Sequence, residues 1–480
     1  MAFNILHISD IHFQRDMPDG VIRRESIIDR IRETSLIADC IIISGDLFHQ
    51  GVLSSKAASE FIEYLKRLKN AVQIPGTGGP IVLAVPGNHD LDRFAREEKG
   101  ESYNDFVNRC KLVNKAGEEA LRGNSYELGD GAEKEILYKH SFQAFRRFSQ
   151  KIGSKTFSDS NTEAALTSDK YEVQYYQMPL EIGSDSQAMV RFVLLNTALF
   201  AGQSLDYQGF KKEIDLLESQ KQAAINAGNA VKAAELNLQI EKQREKYEKY
   251  GCLVVDEVNV QGKGRLGLSW DGARKLIYDR PDTNVACTIF VGHHGYEYLS
   301  DQTKQSIGHA VTHGGRKEGV YLCGHAHQAR YCKHEISTNK SIHQAQSGVI
   351  SGNEDGFAEY GFNYITIDAN GDGTKITVNA HFLCRNHAQE HQWNRELLFS
   401  VIHSSISQVQ ERNSNVKTEK IKEDVDPNTT GYDQKSGEDS KRPNENGPVE
   451  PGPSEEKFVG VTDDQKRRAT KRSKGLLGSW

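Results

Sequence analysis

The stretch AVPGNHDLDRF, Ala84–Phe94, places a glycine, an asparagine, a histidine and an aspartate directly after an apolar run. The residues before it, PIVLAVP, have the length and composition of a buried strand. A proline and a glycine end that strand, so Asn88, His89 and Asp90 are predicted to lie on a loop at its carboxyl end. In α/β sheets this edge is where ligands bind. An ordinary turn would use similar residues. The other motifs of the chain are therefore needed to distinguish a ligand-binding loop from a turn.

The first hundred residues alternate between the periodicities of strands and helices. Strands are predicted at FNILHIS, ADCIIISGD and PIVLAVPGN, and amphipathic helices at VIRRESIIDRIRETS and SKAASEFIEYLKRLKN. This alternation predicts crossover units on a sheet with parallel strands, and therefore an α/β fold. Later strands are predicted at MVRFVLLNT, VACTIFVGH, GVYLCGH, FNYITIDA and TKITVNAHF. The segment DANGDGT, Asp368–Thr374, predicts a hairpin turn between the last two strands.

Composition indicates a globular protein without a membrane span. The chain has 480 residues, of which 37% are hydrophobic, and no stretch approaches the length of a transmembrane helix. The first residues, MAFNILHISD, lack the basic start and long apolar core of a secretory signal. Seven cysteines are scattered, several of them within apolar runs, which favours reduced thiols and a cytoplasmic location. The net charge of −6 neither implies nor excludes a nucleic-acid partner.

One folded domain is predicted for residues 1–404, with two helical insertions. Residues of about 100–170 are mostly polar with short helical patches. Residues 206–250 are rich in Glu, Lys, Gln and Ala, which favour helix, and the segment INAGNA interrupts them, so two antiparallel helices are predicted. This helical hairpin could be a solvated excursion, a cap over a cleft or the contact for a protein partner. Residues 405–480 are predicted to be a disordered charged tail. Its basic cluster, Lys466–Lys474, is predicted to be solvated, with a nucleic-acid or partner contact as the alternative.

Potential metal ligands follow five of the predicted strands, in the segments SDIH, SGDLFHQG, PGNHD, FVGHHGY and LCGHAHQ. Residues i and i+2 of an extended or tightly turned segment point the same way, so Asp10 with His12, or His325 with His327, can share one site. Carboxylate, amide and imidazole ligands suit Mn²⁺, Fe²⁺ or Zn²⁺. Seven such groups are more than one tetrahedral ion needs, and they suit two ions that share a bridging carboxylate.

The order Asp-x-His, Gly-Asp, Gly-Asn-His-Asp, Gly-His, Gly-His-x-His resembles the motifs of the calcineurin-like metallophosphoesterase superfamily. The resemblance covers most of residues 1–400, with long insertions between the third and fourth motifs. It implies a four-layer αββα sandwich of two mixed β-sheets flanked by helices. It also implies a metal-dependent phosphoric ester hydrolase.

The resemblance assigns a role to each matching residue. One ion would be held by Asp10, His12 and His327, the other by Asn88, His293 and His325, and Asp46 would bridge the two. Of the adjacent pair His293 and His294, the first is the expected ligand. His89 would be the catalytic histidine, which protonates the leaving oxygen or stabilises charge on the phosphate. Two ions lower the pKa of a shared water, and the resulting hydroxide attacks phosphorus. Manganese is the expected metal, with iron or zinc as alternatives.

One departure from the family pattern narrows the predicted substrate. Many relatives, including the Ser/Thr phosphatases, carry GDxxDRG at the second motif, whereas this chain has GDLFHQG, with His49 and Gln50 in the last Asp and Arg places. The missing arginine argues against a doubly charged phosphomonoester and leaves the partner of His89 unassigned. The predicted substrate is therefore a phosphodiester in a nucleotide, a cyclic nucleotide or nucleic acid, with its binding residues unknown.

Two other functions stay open. A DNA nuclease of the SbcD/Mre11 type, working with a coiled-coil ATPase, would also carry GDLF and PGNHD, although residues 1–404 leave little room for the ordered capping domain of those enzymes. A second alternative is a non-catalytic interaction subunit that keeps the fold but has lost ligands. The presence of all the ligand types together with His89 argues against such a subunit.

Overall fold

The first of two six-stranded sheets is built from both ends of the chain. In the computed structural model its early strands are β1 (Phe3–Ile8), β2 (Cys40–Ser44) and β3 (Ile81–Val85), and its late strands are β12 (Tyr360–Asn370), β13 (Gly373–Leu383) and β14 (Trp393–Ser404). The strand order is β14-β13-β12-β1-β2-β3. The early strands pair in parallel, and β12 runs antiparallel to β1, so the sheet is mixed.

The second sheet comes from the middle of the chain. Its strands are β4 (Val173–Ile182), β5 (Ser186–Leu195), β8 (Val285–Val291), β9 (Glu318–Cys323), β10 (Arg330–Ser337) and β11 (Lys340–Gln346), in the order β10-β11-β9-β8-β5-β4. The four inner strands pair in parallel, and the two edge strands are antiparallel to their neighbours. A separate small pair joins β6 (Gln203–Ser204) to β7 (Leu253–Val254).

Seven α-helices accompany the sheets within the described part of the chain. They are α1 (Pro18–Glu33), α2 (Ser55–Val72), α3 (Gln143–Lys151), α4 (Tyr207–Asn226), α5 (Ala230–Tyr250), α6 (Trp270–Tyr278) and α7 (Asp301–His313). The helices α4 and α5 pack against each other as the predicted hairpin, and Lys221 donates a hydrogen bond to Asn237 across it. No helix in these ranges is long and apolar enough to cross a membrane.

The structure describes residues 2–13, 18–48, 55–73, 76, 78–91, 108–109, 112, 115, 141–157, 172–182, 186–201, 203–204, 207–250, 253–254, 264, 266–278, 284–313, 316–350, 359–370, 373–383 and 393–404. The predicted tail 405–480 and most of the polar region 100–170 lie outside these residues. Within the described part, Cys40, Cys287, Cys323 and Cys332 are free thiols, as the sequence predicts.

Alternate residues of β5 enter two separate apolar layers. Phe192 belongs to the core between the two sheets, where its ring lies 6.4 Å from that of Phe3. The next residue, Val193, packs instead in a second cluster with Leu276 of α6 and Ile307 of α7. The second sheet is therefore covered by the first sheet on one face and by helices on the other.

The outer face of the first sheet is covered by α1 and α2. Ile27 and Leu65, one from each helix, are buried in the same core as the strands of this sheet. The layers are thus helices, sheet, sheet and helices, which confirms the predicted αββα sandwich.

The strands that the sequence analysis does not predict lie mainly at sheet edges. Strands β4, β10 and β14 are edges of their sheets, and β11 is the neighbour of β10. Edge strands expose one side to water and do not need a continuous apolar run; β10, for example, is RYCKHEIS. The predicted hairpin turn is confirmed, because Asn370 pairs with Gly373 and its side-chain oxygen accepts the Gly373 N–H at 3.1 Å.

Candidate metal centre

All five predicted ligand segments meet at one edge of the sandwich. Each segment directly follows one of the parallel strands β1, β2, β3, β8 and β9, whose carboxyl ends lie on the same side. The site residues that these segments bring together are Asp10, His12, Asp46, Asn88, His89, His293, His294, His325 and His327. His49 and Gln50 of the second segment lie outside the described residues.

The ligand segments are tightly turned. Positive φ angles occur at Asp10 (51°), His12 (40°), Asp46 (52°), His325 (77°) and His327 (56°). Such angles are uncommon outside glycine, although Asp, Asn and His tolerate them better than other residues. Left-handed backbone of this kind is found where a site needs a fixed geometry. Asp and His therefore suit these positions in two ways, because they tolerate a positive φ and can also act as metal ligands.

The first group of ligand atoms comprises Asp10, His12 and His327. The two imidazole Nε2 atoms lie 3.0 Å apart, and Asp10 Oδ1 lies 3.4 Å from that of His327 and 3.7 Å from that of His12. The other carboxylate oxygen, Oδ2, accepts the backbone N–H of His325 at 2.9 Å. Asp10 Oδ1 is buried and has no hydrogen-bond partner in the described structure. The carboxylate is thus held by the protein on one side and aimed at imidazole nitrogens on the other.

The second group is organised around the ring of His293. Its Nδ1 lies 2.7 Å from the carbonyl oxygen of Ser44, an acceptor only, so Nδ1 carries a hydrogen. Its Nε2 then faces two oxygens, Asn88 Oδ1 at 2.9 Å and Asp46 Oδ2 at 3.2 Å. A proton or a metal cation between these atoms would satisfy all three at once.

Asp46 lies between the two groups. Its Oδ1 accepts the backbone N–H of His89 at 2.8 Å. Its Oδ2 is 3.2 Å from Nε2 of His293 and 3.8 Å from Nε2 of His12. This oxygen is buried without a hydrogen bond, like the free oxygen of Asp10. One carboxylate oxygen therefore faces ligand nitrogens from both groups.

The carboxylates and imidazoles shift one another's pKa values. Burial alone would raise the pKa of Asp46, but the charges of His293 and His89 hold it well below its usual range. Burial lowers the pKa of His293, yet the negative charge of Asp46, whose Oδ2 lies 3.2 Å from Nε2, outweighs burial and raises it to about 10. Without a cation the ring of His293 therefore holds a proton against Asp46. A metal that binds here must displace that proton.

His325 and His327 belong to different groups within the same centre. The ligand atoms of His325 lie within 4.8 Å of those of His293 and His294, whereas His327 lies with Asp10. The two histidines therefore share one centre but contribute to different groups of ligand atoms within it. Both backbones are left-handed, so the alternation of an extended segment does not apply.

His89 lies beside the first group and is half-buried. Its ring meets that of His12 edge-on, with the centroids 4.8 Å apart. A ring nitrogen of His89 also lies within 4.8 Å of the ligand atoms of His12 and Asp46. Because Asp46 binds the backbone of His89, the ligand that faces both groups also fixes the position of the predicted catalytic histidine.

Asp90 has a positioning role that the sequence analysis does not predict. Its fully buried carboxylate accepts the backbone N–H groups of Phe48 at 3.1 Å and Gly87 at 2.9 Å, so it ties the loop after β2 to the loop after β3. Burial, followed by the charge of Asp46, raises its pKa to about 8. The signal available in the sequence is an acid three residues after a glycine.

Comparison with known proteins places this centre in a family. Residues 3–173 match the sequence model of the family described as calcineurin-like phosphoesterase. The chain carries a calcineurin-like phosphoesterase domain. The matched segment includes Asp10, His12, Asp46, Asn88 and His89, while the three later predicted ligands lie beyond it.

Two curated relatives match short stretches of this chain. An uncharacterized metallophosphoesterase-like protein, YydB of Bacillus subtilis, is 31% identical over 97 residues, which are 19% of this chain and 18% of YydB. The DNA double-strand break repair protein Mre11 of Saccharolobus solfataricus is 38% identical over 94 residues, which are 18% of this chain and 23% of Mre11. The chain thus spans about a fifth of the length of the curated relatives it matches.

The solved structures that align with this chain do so with low TM-scores and low sequence identity. GAP50, the anchor in the inner membrane complex of Plasmodium, aligns with a TM-score of 0.33 and 9% identity over 86% of this chain and 94% of its own. A 5'-nucleotidase from Candida albicans aligns with a TM-score of 0.29 and 12% identity over 77% of this chain and 48% of its own. At these scores neither structure adds to the assignment.

Proposed function

We propose that the chain is a metal-dependent phosphodiesterase with two divalent cations. The observation that carries the proposal is the convergence of ligand atoms from five strand ends onto one centre. Buried oxygens of Asp10 and Asp46 face imidazole nitrogens there and have no hydrogen-bond partner in the described structure. These donors fit a borderline divalent ion such as Mn²⁺, Fe²⁺ or Zn²⁺.

Each group supplies three residues, and Asp46 serves both. Asp10, His12 and His327 would hold one cation, and Asn88, His293 and His325 the other. Bound there, two cations would lower the pKa of a water molecule and neutralise charge on the phosphate. The carbonyl of Ser44 orients the ring of His293 toward this task, as is usual for metal-binding histidines.

His89 is the proposed proton donor. Its half-buried ring lies at the centre, and its backbone is fixed by Asp46. An imidazole in this position can hold a proton for the leaving oxygen and stabilise negative charge on the phosphate.

The proposed preference for a diester follows from charge. The ion pairs found at the centre join the carboxylates of Asp10 and Asp46 to histidines. In the sequence, Gln50 occupies the place where many relatives have an arginine that grips phosphate. A diester carries one negative charge and needs fewer cations than a monoester with two.

A substrate panel tests this proposal. The full chain, saturated with Mn²⁺, is assayed against bis-nitrophenyl phosphate, nitrophenyl phosphate, cyclic nucleotides, and single- and double-stranded DNA. We expect the diesters to be preferred, and we expect Asp46→Ala to lose activity together with at least one bound metal. A clear preference for the monoester would refute the diester assignment. An absence of bound metal under saturation would refute the enzyme assignment and favour an interaction subunit.

DNA nuclease activity is the second candidate function. It is supported by the 38% identity over 94 residues to a DNA double-strand break repair protein. The same panel decides between the two, because cleavage of DNA without cleavage of cyclic nucleotides would favour the nuclease. A working partnership with an ATPase would remain a separate proposal.

A further inference from the structure

Thr197, the second residue after β5, contacts both adjacent histidines of the fourth ligand segment. Its side chain is fully buried. The backbone N–H groups of His293 and His294 both donate to its Oγ1, at 3.2 and 3.1 Å. The same Oγ1 lies 3.0 Å from Nδ1 of the His294 ring. A single hydroxyl therefore makes three hydrogen-bonding contacts to two neighbouring residues.

The number of available protons fixes the direction of the third contact. A threonine hydroxyl has one hydrogen and two acceptor positions. The two backbone N–H groups take the acceptor positions of Thr197, so its O–H must donate to Nδ1 of His294. That nitrogen is then unprotonated, and the hydrogen of the neutral ring resides on Nε2.

The neighbouring ring of His293 keeps its hydrogen on Nδ1, the opposite nitrogen. Nδ1 of His293 donates to the carbonyl of Ser44, so it is the Nε2 atom of His293 that faces Asn88 and Asp46. The Nε2 atoms of two consecutive histidines thus differ in their chemistry. His293 offers the lone pair of Nε2 once its proton is displaced, whereas His294 offers an N–H.

Packing holds the backbone that carries the two rings in a fixed position. The hydroxyl of Tyr321 donates to the carbonyl oxygen of His294 at 2.8 Å. A Cβ atom at Gly292 would lie 2.3 Å from that hydroxyl and 2.9 Å from Cγ2 of Thr197. Only glycine fits between these side chains, so the peptide that carries both histidines is held closely on both sides.

We propose that Thr197 is a positioning residue that makes His293 the cation ligand and His294 a hydrogen-bond donor at the same centre. Ring nitrogens of both histidines lie within 4.8 Å of each other and of His325, so distance alone does not separate their roles. The hydroxyl separates them, because a protonated Nε2 has no lone pair for a metal. This inference rests on the proposed metal-dependent function, but the tautomer itself is set without a metal.

Three threonine variants test the inference. Thr197→Val removes the hydroxyl and keeps the shape, whereas Thr197→Ser keeps the hydroxyl. Thr303→Val is the matched control, because Thr303 on α7 is also fully buried and its Oγ1 accepts the backbone N–H of Leu268. The tautomer is read from aromatic TROSY spectra of the deuterated, ion-free full chain with ¹³C-labelled histidine rings. The His294 signal is identified by its loss in His294→Gln.

We expect the Nε2–H tautomer for His294 in the wild type and in Thr197→Ser, and a changed signal in Thr197→Val. We also expect Thr197→Val to weaken Co²⁺ binding by about 10- to 100-fold, the usual effect of removing a group that orients a ligand. The Co²⁺ absorption spectrum should change with it, because His294 can then compete for the ion. Thr197→Ser and Thr303→Val should keep the wild-type spectrum.

An Nδ1–H signal for His294 in the ion-free wild type would refute this inference alone. So would Co²⁺ binding by Thr197→Val that matches the wild type, or an equal loss in Thr303→Val. Failure of the wild type to bind any divalent ion would instead refute the proposed function, and the tautomer would still be measured.

Discussion

His89 is the residue whose replacement best separates catalysis from metal binding. Its ring lies against that of His12, but it is the proposed proton donor and not a ligand. We expect His89→Asn to lower kcat by about 10²- to 10⁴-fold on a diester with a poor leaving group, the range for loss of a general acid. Metal content and the unfolding midpoint should stay near those of the wild type.

The control for this variant is His309→Asn, since His309 is exposed on α7. Equal turnover by His89→Asn and the control would remove His89 from the mechanism.

His293 makes metal affinity depend on pH. Its pKa is raised to about 10 from an ordinary value of 6.5, because Asp46 outweighs the opposing effect of burial. Below about pH 10 the ion-free ring is therefore protonated, and a cation must displace that proton. We expect affinity for Mn²⁺ to rise with pH through neutrality, by about tenfold per unit for each proton displaced.

Calorimetry in two buffers with different heats of ionisation counts the protons released. A binding constant independent of pH would contradict this account of His293.

The sequence predicts well which residues converge at the centre, and it predicts poorly which residues support them. Asp10 and His12 could be predicted because they directly follow an apolar strand in a short motif. Thr197 could not, because its role depends on contacts to residues 96 and 97 positions away. Asp90 lies within a predicted motif, but its bond to Phe48 crosses 42 positions and becomes visible only when β2 and β3 are side by side.

At the scale of elements, the loops after β2 and β3 approach each other at Gly87. A Cβ atom there would lie 2.2 Å from Oδ1 and 2.5 Å from the backbone nitrogen of Asp46. Its φ of −109° suits any residue, so the glycine is required for space. We expect Gly87→Ala to separate the loops and lower Mn²⁺ stoichiometry.

Gly78→Ala is the matched control, because nothing lies within 4 Å of its added Cβ. Full metal loading of Gly87→Ala would show that the two loops can move apart without loss of the centre.

The two ends of the α4–α5 hairpin are held together by the short strands β6 and β7. Gln203 pairs with Val254 and Ser204 with Leu253, which brings the two ends of the insertion together. A short flexible linker in place of Tyr207–Tyr250 can therefore close the same gap. We expect this deletion to preserve metal content and the unfolding midpoint.

Activity of the deletion variant on small and large diesters then shows what the hairpin does. A selective loss on DNA would favour a contact with large substrates, whereas a large fall in the unfolding midpoint would contradict the prediction.

At the scale of the whole molecule, the segment that matches the family contains only part of the two sheets. Residues 3–173 contain β1 to β3 but lack β12, which pairs with β1 on its other side, and nearly all of the second sheet. They also lack His293, His325 and His327. We expect a fragment of residues 1–173 to show no cooperative thermal unfolding and no stoichiometric Mn²⁺ binding, in contrast to residues 1–404.

The predicted fold class is confirmed. It could be predicted because the pattern of strands and helices in the first hundred residues is strongly periodic. The second sheet is less visible in the sequence, since β4, β10 and β14 are edges and carry polar residues on their exposed sides. The domain bounds and the tail 405–480 stay predictions.

The position of β1 in the middle of the first sheet has a consequence for folding during synthesis on the ribosome. Phe3 pairs with Ile367, and His7 with Asn363, so β1 is synthesised long before β12, the strand that pairs with one of its edges. At about 5–20 residues per second, that interval is on the order of tens of seconds. Throughout that time, one edge of an apolar strand stays open to pairing with other nascent chains.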